Sequence, residues 1–238
     1  MQTQIYLGDM AVDVVRKDIK NVHLSVYPPT GRVRISAPTR MKLDTIRVFA
    51  ISKLSWIKQQ QKKLREQERE TPREYLERES HYIWGKRYLL KVIEQHAAPE
   101  VKLDHAKMIL RVRPGTNDRM KQAIVAQWYR EQIKAAAPDL IAKWEQMLGV
   151  KVERLFVQKM KTKWGSSNAR ANSIRLNTEL AKKPRDCLEY IVVHEMAHLL
   201  ERHHNDSFAA LMNRFLPQWK LRRDELNAAP LAHVTWSY

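Results

Sequence analysis

An α+β fold is predicted by three observations. Short alternating apolar runs crowd the first half of the sequence, longer runs with three-to-four spacing dominate the second, and 44% hydrophobic content over 238 residues supplies a core for both. The stretch Val22 to Ala37 alternates at Val22, Leu24 and Val26, then at Val33 and Ile35, around a Pro-Pro-Thr-Gly centre, which predicts a β-hairpin. Beyond Pro38, apolar residues at Leu43, Ile46, Phe49, Ala50, Leu54 and Ile57 predict one long helix with a charged end. Tyr88 to Ile93, Val101 to Leu103 and Met108 to Val112 read as short strands separated by breakers. From Asp118 to Leu148 the spacing is helical again, with Pro138 expected to break the helix in two and Gly149 to stop it. Residues 150 to 180 alternate at Val150, Val152, Leu155 and Val157, then at Ile174 and Leu176, so two strands joined by KTKWGSSNARANS are expected as a hairpin. After Pro184, a good first-turn residue, the pattern is helical, and Asp186 suits the positive end of the helix dipole. The expected organisation is a strand-rich lobe over residues 1–113 with one long helix, and a largely helical lobe over 114–238. No sequence repeat or long low-complexity segment interrupts it.

Charge narrows the surroundings. Forty-three Lys and Arg against 26 Asp and Glu give a net charge of +17 and a pI near 10.0, which points to an anionic partner or environment. Basic residues gather at Lys159, Lys161, Lys163, Arg170, Lys182, Lys183 and Arg185, making non-specific nucleic-acid contact through backbone charge a partner to consider. The run from Lys58 to Arg78 is mixed in sign and reads as a solvated helix face. A single cysteine, Cys187, allows no internal disulfide, and the first residues lack the basic start and apolar stretch of a secretory signal. The expected compartment is the cytoplasm. No stretch of eighteen uninterrupted apolar residues occurs.

The chemistry is concentrated in IVVHEMAHLLERHHNDSF, residues 191–208, where His194, Glu195 and His198 form HExxH. Residues four apart on an α-helix are rotated by only about 40° and displaced by roughly 6 Å, so both imidazoles can converge on one ion, and Zn2+ suits such a pair. Glu195, rotated by about 100° from its neighbour, can take a proton from a water activated at that ion without being a ligand. The competing explanation is a buried helix whose histidines bind backbone carbonyls. Burying two histidines and a glutamate without partners is costly, and a metal satisfies all three. A catalytic zinc needs a third protein donor, and His203, His204, Glu201 and Asp206 are nearby. A helix continuing straight would stack Glu201 below His198 along the axis, so the chain must turn first. His204 lies six residues beyond His198, the separation used in HExxHxxGxxH, and is the best candidate. Glu201 stands where that motif has glycine, so it must either adopt a left-handed conformation, costing roughly 1 kcal/mol, or use a different turn. These residues predict a zincin-like metallohydrolase, most simply a peptidase acting on protein or peptide.

Trp164, Gly165 and Ser166, then Leu176 and Asn177, then HExxH, His204 and Phe208 together make the sequence resemble the YgjP-like family of zinc metallopeptidases, relatives of SprT-like proteins. The resemblance extends upstream through the hairpin at Val22 to Ala37, the helix with Trp56 and Ile57, and Gly85 to Tyr88. It implies zinc held by His194, His198 and His204, and Glu195 as general base. One departure is Ser167, where the family often has cysteine. Two alternative functions are a nucleic-acid-associated protein with a closed structural zinc site and a zinc hydrolase of non-peptide amides. The WGSSN segment is expected either to line the cleft as a hairpin or β-edge beside the zinc helix and add an extended peptide by strand pairing, or only to pack a loop with Gly165 relieving a turn. Asn177 is expected to contact substrate or form a turn, Phe208 to hold the His204 segment against the main helix. Tyr190, His203, His233 and Tyr238 are the available donors for the transition state.

Overall fold

In a computed structural model of the chain, residues 2–27, 30–66, 75, 78–160 and 163–228 are described. They divide into two compact units, Met1–Glu70 and Thr71–Ala229.

The first unit carries β1 (Gln2–Leu7), β2 (Met10–Lys17), β3 (His23–Tyr27) and β4 (Arg32–Pro38) in the order β1-β2-β4-β3. The expected hairpin is β3 against β4, while β2 lies parallel to β4. The chain then forms α1 (Leu43–Ser52) and α2 (Leu54–Glu66), where one long helix was expected. At Lys53 (φ −102°, ψ 5°) the backbone N–H turns back to the Ala50 carbonyl, a tightened turn in a stretch with neither proline nor glycine to signal it. Ile46, Ala50 and Ile57 nevertheless reach one core with Ile5, Val12, Val14, Val33 and Ile35.

The second unit opens with β5 (Ser80–Ile83), β6 (Lys86–Glu94), β7 (Glu100–Asp104) and β8 (Lys107–Val112), in the order β5-β6-β8-β7. Two hairpins joined through a central parallel pair therefore occur in both four-stranded sheets, although their sequences show no repeat. The expected boundary at residue 113 is displaced to about residue 70 because this second sheet shares its core with the helices after it. Leu90, Met108, Leu110 and Val112 pack in one cluster with residues of α3 (Asp118–Leu148), and the Tyr129 hydroxyl donates to the Tyr82 carbonyl at 2.8 Å.

Helix α3 is capped by the Asn117 side chain, which accepts from the Met120 N–H, and ends at Gly149 in the left-handed region (φ 67°, ψ 28°), as expected of that glycine. Pro138 does not divide it. A proline inside a helix costs about 3 kcal/mol, but Val125, Tyr129, Ile133, Ala137, Ile141, Trp144 and Leu148 bury one face on both sides of it and hold it in one piece.

Residues 150–180 also differ from expectation. They form three strands, β9 (Arg154–Gln158), β10 (Gly165–Asn168) and β11 (Ser173–Asn177), in the order β10-β11-β9. β9 runs parallel to β11, and the hairpin is instead β10 against β11, so the presumed linker is itself the edge strand. A 3-10 turn at Thr178–Lys182 leads into α4 (Arg185–Leu200), followed by α5 (Asp206–Phe215) and α6 (Trp219–Ala228). Among the described residues, no helix is long and apolar enough to cross a membrane.

Candidate metal centre

Helix α4 follows Pro184 at its N-cap and carries a nearly continuous apolar face, with Leu188, Ile191, Val192, Val193, Met196 and Ala197 buried. That burial fixes the rotation of the helix and turns His194, Glu195 and His198 toward a cleft of about 840 Å³, whose wall includes β10. The helix ends at Glu201, which takes an extended conformation (φ −129°, ψ 113°). The glycine of the longer motif is thus replaced by a different turn and no left-handed strain arises. Asn205 caps α5 by accepting from the Phe208 N–H at 2.9 Å, and this second start swings His204 back over the cleft.

The result is three imidazoles facing one point. His204 Nε2 lies 3.0 Å from His198 Nε2 and 3.1 Å from His194 Nε2. Among the described residues these are the three His, Cys or acidic side chains grouped to hold an ion. The His198 Nδ1–H donates to the Glu201 carbonyl at 2.9 Å, which leaves its Nε2 lone pair directed at the other two rings. Burial, assisted by the neighbouring imidazoles of His198 and His204, lowers the pKa of His194 from the usual 6.5 to about 3; burial also lowers that of His198. Converging neutral lone pairs repel, and a divalent cation that prefers nitrogen donors relieves the repulsion. The donor set fits a metal.

Phe208 forms the floor of this group. It is buried, stacks on His198 (4.5 Å between centroids, 24°) and meets His194 and His204 edge-on at 5.0 and 4.8 Å. Its expected role in holding the His204 segment extends to all three rings. Glu201 and His203 are not part of the group: the Glu201 carboxylate accepts from the His203 backbone N–H, and His203 is exposed.

Glu195 is buried on the cleft wall, where the Ser167 hydroxyl on β10 donates to its carboxylate. Burial raises its pKa from 4.5 to about 7, opposed by that hydrogen bond and by the nearby charge of Lys163. Gly165 has an ordinary φ, so its role is one of space: a Cβ there would lie 2.7 Å from Glu195 Cγ and 2.8 Å from Ile191 Cγ2. Only glycine lets β10 approach α4 so closely.

Asn177 forms a turn and braces the loop beside the cleft. Its amide donates to the carbonyls of Met160 and Lys163 at 2.9 and 2.8 Å, and its oxygen accepts from the N–H groups of Met160 and Glu179. Trp164 lines the cleft. Of the four donors considered, Tyr190 lines the cleft with its ring 5.7 Å from that of His194, His203 does not line it, and His233 and Tyr238 lie outside the described residues. Lys161 is also outside them. Lys182 instead pairs with Glu179 at 2.6 Å, and the Arg185 guanidinium lies over the Trp84 ring at 4.9 Å. Sequence reading missed the cleft cations Arg175, Arg202 and Arg223. The cross-strand register of β10 and β11 is the signal that places the first of them.

Residues 20–229 match the family model described as YgjP-like, metallopeptidase domain. The chain belongs to that family. It is therefore a metallopeptidase. No curated protein matches the chain in sequence. Two solved structures are similar to part of this YgjP-like protein. The metallopeptidase zymogen abylysin of Pyrococcus abyssi is 22% identical over 37% of this chain and 89% of its own, with a TM-score of 0.35. The zymogen jannalysin of Methanocaldococcus jannaschii is 18% identical over 37% of this chain and 93% of its own, with a TM-score of 0.33.

Proposed function

We propose that this metallopeptidase is zinc-dependent, with His194, His198 and His204 holding the ion and Glu195 as the general base that attacks peptide bonds through water. The carrying observation is the convergence of three imidazole Nε2 atoms in a cleft whose wall also holds a buried carboxylate. Three imidazoles leave a coordination position open, as catalytic zinc requires and a closed structural site does not. When bound, zinc supplies Lewis-acid polarisation of the scissile carbonyl and lowers the pKa of water.

The remaining steps belong to the chain. Glu195 takes a proton from the attacking water and delivers it to the leaving amine nitrogen as the C–N bond breaks, returning to its carboxylate form. Ser167 holds that carboxylate in one orientation, and Lys163 favours its charged form. β10 is an edge strand bonded on one side only, to β11, so its outer backbone groups are available to pair with an extended peptide. Tyr190, its pKa raised by burial to about 12, stays a neutral hydrogen-bond donor at physiological pH. Cys187 is buried, with its thiol pushed up to about 11, and fits a reducing compartment; we place the protein in the cytoplasm.

Metal analysis after reconstitution should give about one zinc per chain. Glu195→Gln should keep the zinc and lose peptide hydrolysis, and His204→Ala should lose zinc far more readily than His203→Ala. A Glu195→Gln protein with near-wild-type turnover would remove the base assignment.

A further inference from the structure

The cleft is rich in positive charge, although one of its cations, Arg223, pairs with Asp224 at 3.1 Å. Its lining includes Lys163, Arg170, Arg175, Arg202 and Arg223, and a single carboxylate, the buried Glu195. These cations come from separate parts of the fold: the segment before β10 and the turn after it, β11, the segment following α4, and α6. A net charge of +17 would scatter cations anywhere, so the gathering of five in one cleft lined by a single carboxylate is the discriminating fact. Elsewhere in the same unit, Arg111 pairs with Glu100 at 2.6 Å, Lys143 with Glu189 at 2.7 Å, Lys134 with Glu131 at 3.1 Å, and Arg222 with Asp186. In the cleft, Arg170, Arg175 and Arg202 have no carboxylate partner among the described residues.

Arg175 is the most organised of them. It sits opposite Ser166 and Phe156 in the strand register, and its guanidinium lies over the Phe156 ring at 5.4 Å. Its Nε is buried with no acceptor within reach. A guanidinium braced on an aromatic face in the lining of the cleft is suited to an oxyanion.

We propose that this cleft selects polypeptides bearing carboxylate side chains next to the scissile bond, with Arg170, Arg175 and Arg202 setting that specificity. The proposal rests on the peptidase reading above. A peptide laid along β10 advances about 3.3 Å per residue and runs through the cleft that these guanidinium groups line. Phosphate would suit the same donors, but single-stranded nucleic acid also needs open aromatic faces for its bases. Trp164 is half-buried with the Lys183 ammonium over its ring at 5.9 Å, and Tyr190 is buried. Carboxylates on a polypeptide therefore fit the cleft better than a nucleotide chain.

The test uses full-length, zinc-loaded Glu195→Gln protein and fluorescein-labelled decapeptides of one backbone sequence whose central residues are acidic, neutral or basic. With exposed contacts worth roughly two- to fivefold each and three available, anisotropy titration near physiological salt should show the acidic peptide binding about ten- to a hundredfold tighter than the neutral one. Adding Arg170→Glu and Arg202→Glu should abolish that preference without changing zinc content or melting temperature; the milder Arg170→Gln with Arg202→Gln should reduce it. Equal binding of the three peptides overturns the proposal, as does a single-stranded oligonucleotide of equal charge that binds more tightly and displaces the acidic peptide. Wild-type turnover separates the two levels of inference. Cleavage without charge preference refutes the specificity and leaves the peptidase intact, whereas charge-selective binding with no cleavage of any peptide upholds the recognition and refutes the hydrolysis.

Discussion

Replacing Gly165 by alanine places a methyl group into the contact between β10 and α4. The added carbon would meet Glu195 Oε1 at 2.6 Å, Glu195 Cγ at 2.7 Å and Ile191 Cγ2 at 2.8 Å. Carbon atoms rest about 3.5–4.0 Å apart, so two contacts overlap by roughly 1 Å. The carboxylate oxygen can rotate away, but Cγ of Glu195 and Cγ2 of Ile191 are tied close to a buried helix, so the strand or the helix must shift. Overpacking of this kind costs about 1–3 kcal/mol, which for a unit of this size lowers Tm by about 3–10 °C. The functional loss should be larger in proportion. A displacement of about 1 Å at a catalytic group reduces turnover on the order of a hundredfold. None of the three nearest atoms to the added carbon belongs to an imidazole, so zinc content should stay near one per chain. Differential scanning fluorimetry, metal analysis and single-turnover peptide hydrolysis measure the three quantities. A Gly165→Ala protein with wild-type Tm and turnover would refute the close-approach reasoning, and one that lost its zinc would show that the methyl group disturbs the imidazoles as well as the carboxylate.

Asn177→Ala removes an amide that makes four hydrogen bonds in a buried position, so a loss of about 2–4 kcal/mol in chemical denaturation is expected, with Asn177→Asp intermediate because the acceptor survives and the donors do not. In the metal-free protein, Glu195 has a folded pKa of about 7 against an ordinary 4.5, so its contribution to stability is fully present below about 4.5 and is lost as pH rises through about 7. Metal-free Glu195→Gln should therefore gain stability relative to wild type by up to about 3 kcal/mol at pH 8, and the gain should vanish near pH 4.5. Thermal melts across that range giving a pH-independent difference would contradict it. His194 and His198, with lowered folded pKa values, act in the opposite direction, losing stability below the usual 6.5 in both proteins, so they cancel from the comparison.

The helix that carries HExxH was readable because its motif and its geometry share one period: four residues separate His194 from His198, and the surrounding apolar residues alone suffice to set the helix face. His204 was readable from its six-residue separation, but the turn that delivers it was not, because Glu201 carries no residue-type signature for an extended conformation. Gly-Ser-Ser-Asn has no apolar alternation, so β10 was legible as a β-edge beside the HExxH helix only as one of two alternatives; an edge strand of small polar residues owes its form to β11 and to the space left by Gly165. The parallel pairing of β9 with β11 is a tertiary choice that strand-length patterns do not encode. At the N-terminus, β1 and β2 were overlooked although Leu7 and Met10 flank a two-residue Gly8-Asp9 loop, a hairpin signature that Ile5, Val12 and Val14 reinforce. Pro138 failed as a breaker for the converse reason: a local penalty was outweighed by burial along the whole of α3.

The imidazoles that converge on the candidate ion lie in one short stretch, His194 to His204. Two are already fixed relative to each other by the helix, so an ion closes only the small ring between His198 and His204. Chain-closure entropy grows with the logarithm of the length enclosed, and so little chain is enclosed here that the ion adds almost no constraint to the rest of the molecule. Its stabilising effect comes by mass action on the folded form alone. The large core formed by α3, α4 and the second sheet stands independently of it. The fold is therefore complete before any ion arrives, and metal-free and metal-loaded forms should share one core and differ only around the three imidazoles.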